Sequence, residues 1–152
     1  MDEIGRKQLP HDPPPGIGVG GHLFFLTISA QPRGTNVLIE DNRADMLLES
    51  VRFRHESSLW FARVFVVMPD HVHALIRVPE ESSLRQLVKD WKRWTARRGA
   101  FAWQRDFFDH RLRKEESANK KADYILMNPV RAGLAKTPEA WPHKWIASDA
   151  LG

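Results

Sequence analysis

Cysteine is absent from the 152 residues of this chain. The protein therefore has no disulfide, no thiolate nucleophile and no cysteine-bound zinc site. Long apolar runs are also missing, because no stretch approaches the roughly 20 residues that a membrane-spanning helix needs. The N-terminus has no apolar signal core either. We therefore expect a cytoplasmic protein without a membrane partner.

Tyrosine is scarce as well. Tyr124 is the single tyrosine, beside six tryptophans and eight phenylalanines, so any chemistry that needs a phenol must use this residue. The remaining composition, 42% hydrophobic and 28% charged, is typical of one globular domain. The net charge of +4 and the pI of about 9.7 favour a polyanionic partner, although many ordinary proteins share them.

Two histidines stand at the start of an apolar run. His71 and His73 follow the turn Pro69-Asp70, and side chains in a β-strand alternate with period 2, so both imidazoles point to one face. The other face is apolar and is expected to pack on helices, which leaves the imidazoles on an open, half-polar face. Two imidazoles on one side can hold a divalent metal ion. Two ordinary histidines at the start of a strand are the alternative.

The order of the predicted elements indicates a split-βαβ, ferredoxin-like sheet. The fold class is α+β, with a single domain, an antiparallel sheet and helices packed on one face. Residues 1–20 are rich in proline and glycine and are expected to form a flexible arm before a domain of residues 21–152. The predicted elements are a strand (22–30), a helix (41–57), two strands (60–68 and 71–78), a helix (83–98), a strand (103–113) and a helix (115–128).

The helix predicted over residues 83–98 has the clearest amphipathic pattern. Ser83 and Gln86 have the spacing of a capping box, and Gly99 is the expected stop. Basic side chains crowd the polar side of this helix. They could hold DNA phosphates, or they could simply face water.

A second motif lies in the last predicted helix. Tyr124 and Asn128 are four residues apart, so the phenol and the amide share one face of the helix, which Pro129 is expected to end. An amide oxygen is a hard ligand that suits magnesium or manganese. A phenol becomes a useful nucleophile when a metal polarises its target. A core tyrosine followed by a helix-capping asparagine is the alternative.

Taken in this order, the motifs resemble a known superfamily. The segment MPDHVHALIRV, the intermediate WQRDFFDHRLR and the distal YILMNPVRAGL resemble the single-tyrosine transposases of the HUH nuclease superfamily. Within that superfamily the chain is most similar to the REP-associated tyrosine transposases, over residues 22–141. The resemblance implies a metal-dependent endonuclease and strand transferase. Such an enzyme cuts and rejoins single-stranded DNA beside a hairpin of the repetitive extragenic palindrome type, as a monomer or a homodimer.

The resemblance also implies roles for individual residues. Tyr124 would be the nucleophile that forms a covalent 5′-phosphotyrosine. His71, His73 and Asn128 would hold the divalent metal, magnesium or manganese. Basic residues would hold the DNA backbone: Lys89, Lys92, Arg93, Arg97, Arg105, Arg111, Arg113 and Arg131.

Aromatic residues could stack on unpaired bases, and the candidates are Phe107, Phe108 and Trp94, although core packing is the more usual role of such residues. Two other functions remain open. The chain could be a catalytically inactive protein of the same fold that binds single-stranded or hairpin nucleic acid. It could also be a metal-dependent phosphoesterase that uses water, with Tyr124 in a structural role.

Overall fold

The computed structural model describes residues 21–147, so the arm predicted for residues 1–20 lies outside the described residues, as do residues 148–152. Within 21–147, no helix is long and apolar enough to cross a membrane. The helices and strands of this range, in chain order, are β1 (His22–Gln31), a 3₁₀ turn (Val37–Ile39), α1 (Arg43–Glu56), β2 (Phe61–Val67), β3 (His71–Val78), α2 (Leu84–Gly99), β4 (Ala102–Trp103), β5 (Phe108–Leu112), α3 (Glu115–Leu126), α4 (Asn128–Arg131), a second 3₁₀ turn (Pro138–Ala140) and β6 (Lys144–Ile146).

The strands form one antiparallel sheet in the order β4-β1-β3-β2-β6, and β5 also pairs with β1, along the edge opposite β3. Helix α1 connects β1 to β2, and α2 connects β3 to β4. This is the split-βαβ arrangement predicted from the order of the elements, and the α+β, ferredoxin-like class is confirmed. The first five predicted elements all lie within two residues of their observed bounds.

One face of the sheet is closed by α1 and α2. The even-numbered residues of β3, from Val72 to Val78, are buried in the main core with Leu47 of α1 and Trp91 of α2. The indole of Trp91 is satisfied inside this core, because its Nε1 donates a hydrogen bond to Ser50 Oγ at 2.8 Å. The apolar face predicted for β3 therefore packs on helices as expected.

Helix α3 packs on the opposite face, which carries the two histidines. Ala118, Ala122 and Ile125 of α3 lie in a second buried cluster with Phe25 of β1 and Leu75 of β3. Helices on one face were expected, and this holds for α1 and α2 only. The histidine face is not open as predicted, since its other positions in β1 and β3 are apolar and bury their area against α3.

Two predicted elements are each divided into two shorter elements in the structure. The strand predicted over residues 103–113 is divided into β4 and β5, and Lys92 Nζ holds the intervening segment by donating to the carbonyls of Gln104 (2.8 Å) and Arg105 (2.9 Å). The last predicted helix ends at Leu126, before α4 starts. Pro129 lies in the first turn of α4 and does not end α3, because a missing N–H costs nothing there.

The N-terminus of α2 is capped as predicted, but its capping box is incomplete. Ser83 Oγ accepts a hydrogen bond from the backbone N–H of Gln86 at 3.2 Å. The Gln86 side chain donates to Asp90 Oδ1 at 2.8 Å instead of turning back. At the other end, the residue in the left-handed conformation is Ala100 (φ 58°) and not Gly99.

Candidate active site

The histidine pair lies at the start of β3, on the face that α3 covers. The ring centroids of His71 and His73 are 4.7 Å apart, and the ring planes are inclined by 81°. In the antiparallel ladder His73 is opposite Thr27, and His71 is opposite Ser29 of β1. The alternation expected for a strand therefore brings the two imidazoles together, as the sequence predicts.

Asp70 fixes the orientation of the first imidazole. His71 Nδ1 donates to Asp70 Oδ1 at 2.8 Å. The other carboxylate oxygen accepts from Arg33 Nε at 2.9 Å and from the backbone N–H of Gly34 at 2.7 Å. Burial by itself raises the pKa of the Asp70 carboxyl, but the hydrogen bonds from Gly34, His71 and Arg33 outweigh it and hold that pKa well below its usual range. The carboxylate is thus ionised at neutral pH and keeps the His71 proton on Nδ1.

The second imidazole is deeper and remains neutral. His73 Nδ1 shares a hydrogen bond with Thr27 Oγ1 at 3.0 Å. Burial lowers the pKa of His73 to about 3, and the neighbouring His71, Arg131 and Lys121 side chains act in the same direction. A neutral imidazole is the form that binds a metal ion. His73 therefore needs no deprotonation before it can act as a ligand at physiological pH.

The donor set fits a divalent metal ion. Both histidines have Nδ1 engaged by an outer partner, which leaves Nε2 for a metal, and such outer hydrogen bonds are typical of metal-bound imidazoles. In the part of the chain from residue 21 to 147, no group of three His, Cys, Asp or Glu side chains could hold a metal. A third protein ligand in this range would therefore be of another residue type, and the sequence predicts the amide oxygen of Asn128 for that role.

Helix α3 links the single tyrosine to this pair through Lys121 and Phe25. Lys121 Nζ lies 4.6 Å from the ring centroid of Phe25 and 4.9 Å from that of Tyr124. The Phe25 ring in turn stacks on His73, with centroids 5.8 Å apart and an angle of 14°. The side chain of Tyr124 is 49% exposed, so it is not a core aromatic.

Arg131 closes the cluster from α4. Its guanidinium carbon is 3.9 Å from the ring centroid of Tyr124. One of its nitrogens donates to the Tyr124 carbonyl at 2.8 Å and to Asn128 Oδ1 at 3.1 Å. The phenol and the amide predicted to share a face are thus joined by Arg131 across the break at Met127.

The cations of α2 lie on the other side of the sheet from this cluster. Val88 and Trp91 of α2 are buried in the core that contains the even-numbered residues of β3, whereas the histidines are odd-numbered. Three of the cations predicted to contact DNA are exposed on this helix: Lys89, Arg93 and Arg97. The fourth, Lys92, is half-buried and bound to backbone carbonyls, and burial lowers its pKa. The four cations therefore lie across the sheet from the cluster around Tyr124.

Strand β5 adds an aromatic side chain to the site. Phe108 is opposite Thr27 in the ladder, its ring centroid lies 6.0 Å from that of Phe25, and 56% of it is exposed. By contrast, Phe107 packs against the main core, and Trp94 lies on α2. Phe108 is therefore the predicted stacking residue that the fold places beside the histidines.

The other predicted DNA contacts are spread over the surface. Arg111 is opposite Phe24 of β1, so its side chain takes the sheet face that α1 and α2 cover. It is nevertheless exposed, as are Arg105 and Arg113. Of the eight predicted cations, Arg131 is the one that the described contacts place against Tyr124.

Asp70, Thr27 and Lys121 contribute to the site but were not among the site residues named from the sequence, although Lys121 closes the basic stretch 105–121 that was expected to hold the DNA backbone. Each had a signal in the sequence. Asp70 directly precedes His71, Thr27 is a polar residue in an otherwise apolar strand, and Lys121 is one helical turn before Tyr124.

Comparison with known proteins agrees with the motifs. The sequence model of the family described as "Transposase IS200 like" matches residues 31–125. The chain is 25% identical over 136 residues to the REP-associated tyrosine transposase of Escherichia coli K12, which covers 86% of this chain and 80% of that protein. It is 27% identical over 149 residues to a candidate REP-associated tyrosine transposase of Haemophilus influenzae, which covers 85% of this chain and 82% of that protein.

Solved structures share the fold. A REP-associated tyrosine transposase bound to a REP hairpin superposes with a TM-score of 0.72 at 21% identity, over 99% of this chain and 84% of that one. A candidate transposase from Deinococcus radiodurans R1 gives a TM-score of 0.53 at 22% identity, over 69% and 88% of the two chains. The resemblance to REP-associated tyrosine transposases seen in the motifs is confirmed by these relatives. The family model matches more than half of the residues of this chain, so the chain belongs to the IS200-like transposase family.

Proposed function

We propose that this protein is a metal-dependent single-stranded DNA endonuclease and strand transferase with Tyr124 as its nucleophile. The observation that carries the proposal is the position of Lys121, whose ammonium lies against the rings of both Phe25 and Tyr124. Phe25 stacks on His73, so Lys121 and Phe25 link the chain's one phenol to its histidine pair, which supports the proposal. Membership of the IS200-like transposase family supports the same chemistry.

The proposed reaction exchanges one phosphoester bond for another. The Tyr124 hydroxyl attacks the scissile phosphorus, the bond from phosphorus to the 3′-oxygen breaks, and a 5′-phosphotyrosine and a free 3′-hydroxyl result. The proton that the phenol loses is matched by the proton that the 3′-oxygen gains. Because the bond energy is conserved, a second 3′-hydroxyl can attack the phosphotyrosine and join strands.

His71, His73 and Asn128 would hold the divalent ion. When bound, such an ion acts as a Lewis acid on the phosphate oxygens. Asp70 and Thr27 keep the two imidazoles in place through their Nδ1 atoms. The low pKa of His73 keeps that ring unprotonated, so protons do not compete for it near neutral pH.

Positive charge and an exposed ring surround the proposed nucleophile. Lys121 and Arg131 both contact the ring of Tyr124, and we propose that they neutralise a phosphate there. Phe108 offers a face on which an unpaired base can stack. The solved relative holds a REP hairpin, and we propose a single strand with such a hairpin as the DNA partner here.

We propose that the exposed cations of α2 contact DNA away from the cleavage point, on a strand that wraps the sheet edge. Because Lys121 and Phe25 link Tyr124 to His73 within one chain, we propose that no second subunit is needed to complete the site. The homodimer remains a prediction.

The test is the formation of a covalent adduct. The protein is incubated with manganese and a single-stranded oligonucleotide that carries a REP hairpin and a label at its 3′ end. In a 5′-phosphotyrosine the downstream DNA fragment is bound to the protein, so a 3′ label migrates with the protein in a denaturing gel. A 5′ label migrates with the shorter, free upstream fragment. Tyr124→Phe keeps the ring and should bind the DNA without forming the adduct.

Two outcomes would overturn the proposal in different ways. Cleavage without an adduct, retained in Tyr124→Phe, indicates a phosphoesterase that uses water. Tight binding of the hairpin with no cleavage under any divalent metal indicates a protein that only binds nucleic acid.

A further inference from the structure

Arg131 donates a hydrogen bond to the side-chain oxygen of Asn128, the oxygen that the proposed metal site would use as a ligand. It is the last residue of α4, and its guanidinium reaches back to donate to Asn128 Oδ1 at 3.1 Å. The same nitrogen donates to the carbonyl of Tyr124 at 2.8 Å, and the guanidinium lies over the Tyr124 ring at 3.9 Å. One cation thus contacts both the proposed nucleophile and the proposed oxygen ligand.

Arg131 and a metal ion would compete for this oxygen. An amide oxygen has two lone pairs, but a guanidinium and a divalent cation on one oxygen repel each other at short range. The rotamer of Asn128 that satisfies Arg131 also turns its oxygen toward that cation. Metal binding through Asn128 therefore requires Arg131 to withdraw.

We infer that Arg131 is a positioning residue that couples DNA binding to completion of the metal site. This inference rests on the proposed function. In the DNA-free protein Arg131 holds the Asn128 oxygen. A phosphate of the bound strand offers a stronger, charge-assisted partner, draws the exposed Arg131 side chain away and releases the oxygen to the metal. By linkage, DNA and metal then bind with positive coupling.

Lys121 provides a matched control for charge. Lys121 and Arg131 are both cations close to His73, and both contribute to the low pKa of that ring. Both also contact the ring of Tyr124. Lys121 contacts Phe25 in addition, whereas Arg131 binds Asn128. Removing the positive charge of Lys121 or of Arg131 should favour binding of a metal cation. Only removal of Arg131 also frees the Asn128 oxygen to act as a ligand.

The experiment measures the affinity of the DNA-free protein for manganese by calorimetry. Arg131→Met and Lys121→Met are each made with and without Asn128→Ala. Both single variants should bind manganese more tightly than the native protein, and Arg131→Met should exceed Lys121→Met by about fivefold. This excess should disappear in the Asn128→Ala background. Arg131→Gln is measured in parallel, and thermal denaturation checks that each variant folds.

The inference fails if Arg131→Met and Lys121→Met tighten binding equally, because the effect is then charge alone. It also fails if the excess survives Asn128→Ala, because Arg131 would then act without that oxygen. The adduct assay on the native protein is independent of both results, so a failed coupling role leaves the proposed function standing. Absence of the adduct would reject the proposed function even if the calorimetric excess were found.

Discussion

The two faces of the sheet are built from the same strands but differ in what they leave accessible. On the face covered by α1 and α2, β3 contributes Val72, Ala74 and Ile76 to a closed apolar core. On the other face, β3 contributes His71 and His73, and α3 covers only part of the surface. In β3, the residues on one face therefore stabilise the core, and the two histidines on the other face belong to the candidate site. Substitutions at neighbouring positions of β3 should separate these two properties.

The largest effect expected from this comparison is on folding. Ile76→Ala empties part of the closed core, where the side chain is fully buried, and should lower the free energy of unfolding by about 2–5 kcal/mol. His71→Ala should cost about 1 kcal/mol, because it loses one hydrogen bond, while adduct formation disappears. Urea denaturation and the adduct assay measure the two effects. Equal destabilisation by both changes would mean that the histidine face stabilises the fold as much as the closed core does.

A smaller effect, on metal affinity, is expected from Asp70, which hydrogen-bonds His71. Asp70→Asn keeps the size of the side chain but removes the charge that holds the His71 proton on Nδ1. Loss of such an outer partner should weaken manganese binding about 10–100-fold, as measured by calorimetry. Arg33→Ala is the control, since it removes one neighbour of the Asp70 carboxylate and leaves the carboxylate itself. An unchanged affinity in Asp70→Asn would show that the carboxylate only secures the loop of Arg33.

The smallest effect is expected from the cations of α2. Arg93→Ala combined with Arg97→Ala should weaken hairpin binding by the same factor for all sequences. It should also reduce the salt slope by about 0.7 for each single-strand phosphate, or about 0.9 for each duplex phosphate, that is no longer neutralised. The adduct yield at saturating DNA should not change, because both residues lie on the face away from Tyr124. Lys121→Met is the counterpart on the site face and should lower that yield. If the α2 pair lowers it instead, the strand reaches Tyr124 by way of α2.

The sequence predicts the features that depend on local periodicity. Alternation fixes the common direction of His71 and His73, and the bounds of β3 are those predicted. The Ser83 hydroxyl caps α2 because this interaction spans only three residues. The order of the elements then leads to the ferredoxin-like arrangement, since short antiparallel connections and two crossover helices leave few alternatives.

Features that depend on distant contacts could not be predicted in this way. Helix α3 packs on the histidine face because β1 and β2 add apolar residues to that face. The combined apolar area comes from separate strands, so no local sequence pattern reveals it. The division of the strand at residues 104–107 depends on Lys92, which amphipathicity alone assigns to the surface. The contact of Arg131 with the Tyr124 carbonyl crosses the break at Met127, where proline permits a new helical turn and does not simply stop the old one.

The late position of α3 in the chain has a consequence for how the site can be lost. The helix docks on a sheet whose strands β1 to β5 all precede it, so the histidines can be in place before the nucleophile arrives during synthesis. α3 is also the only one of the three long helices in the described range that does not pack in the main core. Local opening of α3 would therefore separate Tyr124 from His73 while the rest of the fold persists. DNA cleavage should thus fade at denaturant concentrations below the global unfolding transition.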